Sequence, residues 1–496
     1  MTGNPSVPAN IAHLLVGRWI DAGHGDDPAV VDDDGTWTFR ELDAAAARFA
    51  GALRERGVAP GDRVAVVLPD SRGWCAAFLG AQRIGAVAAP FEPHPPRLAA
   101  AFAAFDPAIV VTESDTALPG GFARISPGEG DSGPPEPVHP VLPTDLAYMI
   151  FSSGSTGAPK GAMHAHRDLI ASIEGYSREV LALGPGDRTL SVAKCMASLG
   201  FGNGFFRPLG RGACAVLTRR RPTVRLILAE VARNRVTVLS GVPTFWSQLA
   251  TFLERHPDEA ALGSLRLAVS SGDSLPAVVL ERMRAHGLDV IEGFGCSECS
   301  NIVLSVRPGE HLPGTVGRPV AGVELKLADD DGLPVPDGAP GRLWIRSPSN
   351  TSGYFRRPDE TADVVRGDWL RMGDVLKCED GVFRHVGRRD DMFKVDGRWV
   401  SPVEVEGAIL RHDAVEEAAV VGVPMEDGLV RAAAFLRARQ GITPDASTDQ
   451  DIRRLAARSV GTYAAPQRIR WLDELPRGAT GKVDRRRLRN EFTDRS

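Results

Sequence analysis

Over most of the first 300 positions, short apolar runs suited to buried strands alternate with apolar residues at helical spacing. That alternation restricts the possible folds more than any other feature of the chain. Thr38 and Glu41 form a capping box, and Leu42, Ala45, Phe49 and Leu53 follow one another along a single helix face. Val64 to Leu68 reads as a buried strand, Ser71 to Arg83 as the next helix and Ile109 to Thr112 as another strand. Further strands are expected at 237–240, 265–269 and 289–291. The pattern predicts layered α/β architecture with mainly parallel sheets. Ligands of such sheets bind beyond the carboxyl ends of the strands. Three glycine-bearing segments read as following strands and are expected to share one cleft: the loop 151–160, Ser271-Gly272-Asp273 and Gly293-Phe294-Gly295.

The first of these is the most specific. Phe151 to Lys160 runs Phe-Ser-Ser-Gly-Ser-Thr-Gly-Ala-Pro-Lys, with Gly161 after it. Ser152, Ser153, Ser155 and Thr156 supply hydroxyl donors. Gly154 and Gly157 let backbone N–H groups approach a ligand, and Lys160 adds a full positive charge, so the loop suits a polyphosphate. It is not a Walker P-loop, because Lys160 follows proline and no hydroxyl residue follows it. The expected layout is strand from Leu146 to Phe151, phosphate loop, then helix from about Arg167. A flexible Ser/Gly linker would not need an apolar strand before it or Pro-Lys-Gly after it. Only six of the 58 basic residues are lysine, at 160, 194, 326, 377, 394 and 482. In a chain that otherwise uses arginine, a retained lysine marks a place where a compact point charge is needed rather than a planar fork.

From about residue 310 Gly and Pro punctuate short strands such as 323–327 and 341–345, which predicts a small β-rich subdomain. The texture changes again at Gly387-Arg-Arg-Asp-Asp391. Beyond it a helix near 403–410, strands at 417–423 and 431–437 and a helix from Gln450 make a small α+β domain. The Pro/Gly-rich stretch Ser126 to Pro143 reads as an exposed loop. A chain of 496 residues implies more than one domain. A net charge of −5 gives no reason to expect nucleic acid or an anionic membrane as partner, and no signal peptide or run of about 18 apolar residues is seen. Six scattered cysteines, with Cys296 and Cys299 the only C-x-x-C pair, suit a reducing cytoplasm better than a disulfide framework or a zinc site.

In order along the chain, Ser152–Gly161, Gly293-Phe-Gly-Cys-Ser-Glu298, Arg371-Met-Gly-Asp374, Gly387-Arg-Arg-Asp390, Lys394-Val-Asp-Gly397 with Pro402-Val-Glu404, and Gly481-Lys482 resemble the motifs of the adenylate-forming superfamily. That superfamily comprises acyl- and aryl-CoA synthetases, peptide-synthetase adenylation domains and luciferases. Ala193-Lys194 with Gly200-Phe-Gly-Asn203, Gly241-Val-Pro-Thr244 and the Ser-Pro after Val400 are most similar to benzoate-CoA ligases.

The resemblance implies a large N-terminal domain, residues 1–388, of two layered α/β subdomains and a small β-rich one. A hinge at 389–391 with Asp390 at its centre and a mobile α+β domain at 392–496 complete it. It also implies a two-step reaction. A carboxylate attacks the α-phosphate of ATP, giving an acyl-adenylate and pyrophosphate; a thiol then takes the acyl group and releases AMP. Lys482 is expected to bridge carboxylate and α-phosphate. Thr156 and Lys160, with Ser152, Ser153, Gly154, Ser155 and Gly157, are expected to hold the outer phosphates, and Glu298 a Mg²⁺ ion. Ser297 is expected at the α-phosphate, Asp374 and Arg388 at the ribose, and Phe294 with Gly293, Gly295, Ser271, Gly272 and Asp273 at the adenine. Lys394 and Gly397 would line the thiol tunnel once the small domain has turned, although Asp396 stands where relatives often have serine.

The implied acyl pocket draws on Ala197, Ser198, Leu199, Gly241, Asn301 and Ile302, with Gly272 and Gly293 leaving space for a flat ring. No Asp lies between Lys194 and Asn203, where amino-acid-activating relatives place a carboxylate. Leu199 replaces an aromatic residue and Asn301 stands near a histidine of benzoate ligases, which suggests a ring with a polar group, a hydroxy- or aminobenzoate. Coenzyme A is the expected thiol. A phosphopantetheine carrier protein acting in trans, or a non-thiol acceptor, is the alternative. A non-catalytic nucleotide sensor would not need both Lys482 and Glu298.

Overall fold

The computed structural model describes residues 9–93, 95–113, 116–153, 159–257, 262–425, 429–477 and 483–493. Two sheets with mostly parallel strands form the larger lobe. The first runs, in spatial order, Arg124–Ile125, Ile109–Thr112, Arg63–Val67, Val87–Pro90, Leu146–Ser153 and Pro159–Ala165, with only the last strand antiparallel to its neighbour. The second is wider. Its central strands Val290–Cys296, Leu267–Ser271, Val238–Gly241, Arg188–Ser191 and Cys214–Val216 are parallel. The hairpin Pro28–Asp32/Gly35–Thr38 closes one edge, so the start of the chain completes a sheet built mostly from residues far downstream.

The helices form where the sequence places them, for readable reasons. Thr38 caps Phe39–Glu55 with a reciprocal Glu41 box, and Ser71 caps Arg72–Arg83 by accepting from the Trp74 N–H. Arg72–Arg83 packs between the lobes' halves: Trp74 stacks on Phe78 at 5.4 Å, and both rings meet Phe201 and Phe205 at 4.9–6.5 Å. Buried aromatic area of this kind, with edge-to-face geometry, joins the two sheets into one core.

A smaller antiparallel sheet follows, Glu324–Ala328, Gly341–Arg346, Trp369–Glu379, Val365–Arg366 and Val382–Arg388. After a turn at 389–392 the chain makes the hairpin Phe393–Val395/Arg398–Val400 and then the sheet Val415–Pro424, Val430–Ala438 and Arg468–Trp471, covered by Pro402–Ile409, Ala446–Val460 and Arg485–Thr493. The layered α/β halves, the β-rich subdomain and the small α+β lobe are thus as expected. None of the described helices is long and apolar enough to cross a membrane.

Three readings need correction. The helix expected from about Arg167 does begin at Asp168, but a strand comes before it: Leu146–Ser153 pairs with the antiparallel edge strand Pro159–Ala165. Proline is admitted there because it is the first residue of an edge strand. Gly293, Phe294 and Gly295 lie within the strand Val290–Cys296 rather than beyond it. The stretch 126–143 is not simply an exposed loop. Ser126 and Glu129 cap a short helix, Pro127–Gly130, and Gly130 and Gly133 are buried against Phe39–Glu55.

Candidate active site

The hairpin Leu146–Ser153/Pro159–Ala165 carries the residues expected at the outer phosphates. Ser152 pairs with Lys160 across it, and Ser153 pairs with Pro159 through the backbone. Gly154, Ser155, Thr156 and Gly157 lie outside the described residues, as do Gly481 and Lys482. The Lys160 ammonium sits 5.6 Å from the centre of the Tyr354 ring. The Tyr354 hydroxyl donates to Glu298 Oε1 at 2.6 Å. Glu298 and Ser297 follow the strand Val290–Cys296 in a turn that is pinned from two directions. The Thr351 N–H donates to the Glu298 carbonyl at 2.7 Å, and His164 Nε2 lies 2.8 Å from the Ser297 carbonyl.

A second group faces the same region from the β-rich subdomain. Asp374 and Arg388 are direct cross-strand partners, with Arg388 Nε 3.6 Å from Asp374 Oδ1. His385 connects them to the large lobe: its Nε2 lies 3.1 Å from Asp374 Oδ1, its Nδ1 3.0 Å from the Ser274 hydroxyl, and its ring 5.5 Å from that of Phe294. Nε2–H donating to the carboxylate leaves Nδ1 to accept from Ser274, one tautomer serving both contacts. Asp374 is almost fully buried, and its charge is the main reason the Arg388 guanidinium holds its proton above the usual arginine range. Glu298, Asp391 and Asp273 act in the same direction. One guanidinium therefore reports the proximity of Asp374, Glu298 and Asp273, which come from three separate motifs.

Ser271 ends its strand, and Gly272 turns the chain with φ +99°, a conformation glycine adopts without strain. A methyl at Gly272 would stand 3.6 Å from Val242 and 3.8 Å from Leu199, so the 197–199 segment, the 241–242 segment and this turn converge. At Gly293 a methyl would meet Ile302 at 3.1 Å; at Gly241 it would meet Phe245 at 2.8 Å and Trp246 at 3.1 Å. At Gly241 something would have to shift to admit a side chain, and at Gly293 Ile302 would have to give by a few tenths of an ångström. Ala197 precedes the short helix Ser198–Phe201 that carries Ser198 and Leu199. Asn301 is buried, and neither atom of its carboxamide has a partner among the described residues.

A cleft of about 970 Å³ opens from Gly272, Asp273 and His385 and runs between the lobes, where Thr244, Glu292 and Arg477 also line it. Arg477 donates to the Thr244 hydroxyl at 3.3 Å and pairs with Glu417, and an antiparallel bridge joins Arg477 to Val483. Glu292 is buried with Oε1 accepting from the Leu275 N–H at 3.0 Å. Burial, with help from Asp273, pushes its carboxyl up to about 8.

Lys394 and Gly397 are not in this group. Both are exposed on a hairpin whose Val395 and Val400 are buried in the small lobe's core, and the Lys394 ammonium lies 4.9 Å above the Trp399 ring. Asp396 and Gly397 form its two-residue turn with φ +50° and +78°, a primed turn that an Asp-Gly pair satisfies, which accounts for Asp396 at that place. Asp390 is exposed in the turn that follows Arg388. The sequence points to neither Tyr354 nor His385 nor Glu292. Tyr354 had a signal of the kind the lysines gave, being one of only four tyrosines and following Thr351-Ser-Gly353. His385 had none, since its role depends on sheet register.

A large lobe of two layered α/β halves with a β-rich subdomain, followed by a small α+β lobe, is the architecture of an adenylate-forming enzyme. Residues 18–355 match the AMP-binding enzyme family and residues 404–482 its AMP-binding enzyme C-terminal domain. The chain belongs to this family. It is 36% identical to a benzoate–CoA ligase of Thauera aromatica over 97% of this chain and 96% of that one. It is 33% identical to a 3-hydroxybenzoate–CoA/4-hydroxybenzoate–CoA ligase of the same organism over 98% of both. Among solved structures, the anthranilate CoA ligase AuaEII in complex with anthranoyl-AMP superposes with a TM-score of 0.90 at 31% identity, covering 98% of this chain and 97% of that one.

Proposed function

We propose that this chain is an acid–thiol ligase. It activates an aromatic carboxylic acid to an acyl-adenylate with release of pyrophosphate, then transfers the acyl group to the thiol of coenzyme A. The observation that supports this most is the pairing of Asp374 with Arg388 across two strands, with Glu298 and Asp273, from two other motifs, acting on the same guanidinium. The first half-reaction brings two anions together, so it needs positive charge where negative charge develops. Lys482 supplies it at the bond being made, and Lys160 at the departing pyrophosphate. Asp374 and Arg388 hold the ribose, and Phe294 with the 271–273 turn holds the base. Magnesium fits what is present. The Glu298 carboxylate is held at Oε1 by Tyr354, which leaves Oε2 for a cation, and Mg²⁺ is commonly bound by one or two carboxylates plus phosphate oxygens. Glu298 would hold it, and when bound it neutralises phosphate charge.

The named relatives act on benzoate and hydroxybenzoates, and the AuaEII complex contains anthranoyl-AMP. The unpartnered Asn301 carboxamide favours a ring with a hydroxyl or amino group here, because a buried amide without a partner costs about 1–3 kcal/mol. The hinge is assigned to 389–391 and the mobile domain to 392–496, with Lys394 and Gly397 meeting the pantetheine arm in the second half-reaction. All six cysteines are free thiols, as a reducing cytoplasm would keep them.

Two measurements test the reading. Lys482→Ala is expected to lower exchange of labelled pyrophosphate into ATP by about 10²–10³-fold while leaving thiolysis of a supplied acyl-adenylate largely intact. Undiminished exchange refutes the role of Lys482. A panel of acids in a pyrophosphate-release assay, with coenzyme A and a holo-carrier compared as acceptors, should show hydroxy- or aminobenzoates with coenzyme A as the best pair. Turnover of fatty acids without benzoates refutes the aryl assignment.

A further inference from the structure

The segment 351–355 is stitched to both sides of the phosphate end of the site. Thr351 Oγ1 donates to the Met163 carbonyl at 2.7 Å, the Met163 N–H to the Gly353 carbonyl at 3.0 Å and the Phe355 N–H to the Gly161 carbonyl at 2.9 Å, while the Thr351 N–H reaches the Glu298 carbonyl. Tyr354 forms an isolated bridge with Ala162 and is 7% exposed. Its backbone is thus fixed beside the strand that carries Lys160, and among the described residues its hydroxyl bonds to Glu298 Oε1 at 2.6 Å. A phenol hydroxyl facing a carboxylate oxygen is the donor of the pair. A carboxylate held at one oxygen keeps lone pairs on the other for a cation. Lys160 at 5.6 Å from the ring centre is within cation–π reach.

We propose that Tyr354 is a positioning residue for the metal-bearing, polyphosphate end of the nucleotide: its hydroxyl orients the Glu298 carboxylate and its ring stations the Lys160 ammonium. This rests on the assignment of Glu298 as the carboxylate nearest magnesium. Partners that hold a metal-ligating carboxylate typically matter by about 10–100-fold in metal affinity.

The test is titration calorimetry of ATP with magnesium, ATP in chelator and AMP. Tyr354→Phe deletes the hydroxyl and keeps the ring. It is expected to weaken magnesium-ATP by about 10–100-fold while metal-free ATP and AMP change little. Tyr354→Leu also removes the ring and should weaken metal-free ATP by about 2–5-fold more. Unchanged AMP binding shows that each variant is folded. Equal losses with and without magnesium in Tyr354→Phe, or no loss at all, overturn the proposal. Glu298→Gln in the same assay separates the two assignments. If it leaves the magnesium dependence intact, the reading of Glu298 is wrong. If it abolishes that dependence while Tyr354→Phe keeps it, Glu298 stands and the role of Tyr354 falls.

Discussion

Glu292 shows how a single residue ties the cleft to solution conditions. An ordinary glutamate releases its proton near 4.5, whereas burial holds that of Glu292 to about 8. Between those values the folded chain binds a proton that the unfolded chain has lost, so each rise in pH favours unfolding. The contribution is fully present below 4.5 and gone above about 8. Glu292→Gln keeps an acceptor for the Leu275 N–H and removes the titration. Its melting temperature should match the parent's at pH 5 and rise progressively above it toward alkaline pH. Two melting profiles that stay parallel across the range would show that the carboxyl titrates normally.

At the scale of elements, the segment 126–134 behaves as a strap on the helix Phe39–Glu55. A methyl at Gly133 would stand 2.3 Å from the Ala52 nitrogen and 2.4 Å from the Arg48 carbonyl, backbone atoms that cannot step aside. Gly133→Ala is expected to lower stability by about 1–3 kcal/mol, seen as a lower urea midpoint with an unchanged slope. A midpoint equal to the parent's would mean that the strap does not dock. Elements whose pattern is local were legible in the sequence: the Thr38–Glu41 capping box, the helix read over 71–83, the apolar strands and the small C-terminal domain. The strap was not, because Pro and Gly read as loop whether they face water or a helix, even though Ser126-x-x-Glu129 is a cap signal. The strand Pro159–Ala165 was hidden for the same reason. Of the site, each motif was visible, but the links between motifs were not. Tyr354 reaches Glu298 across 56 residues and His385 reaches Ser274 across 111, and such contacts follow from sheet register rather than spacing.

For the whole molecule, the two lobes present different faces of the small domain to different surroundings. Arg477 and Val483, which flank 478–482, line the interlobe cleft with Gly272 and Asp273, while Lys394 and Gly397, on their hairpin, are exposed. If Lys482 serves adenylation and the hairpin serves thiol attack, the observed orientation suits the first half-reaction. On that reading the second requires a rotation, which we place at 389–391. That turn has few ties to break: Arg389 donates its N–H to the Gly373 carbonyl at 2.9 Å and pairs with Asp330 at the surface, and Asp390 is exposed. A few residues at an element's end can absorb such a motion. Asp390→Pro fixes φ near −65° and restricts the residue before it, which removes that freedom without touching either set of reacting groups. The variant is expected to keep pyrophosphate exchange within a few-fold of the parent. Its thioester formation from a supplied acyl-adenylate should fall by about 10²-fold or more, as loss of correct positioning does elsewhere. Rapid-quench measurement of the two half-reactions separately decides the matter. Equal losses in both would assign Asp390 to folding or to the nucleotide site, and undiminished thioester formation would mean that the lobes need not turn.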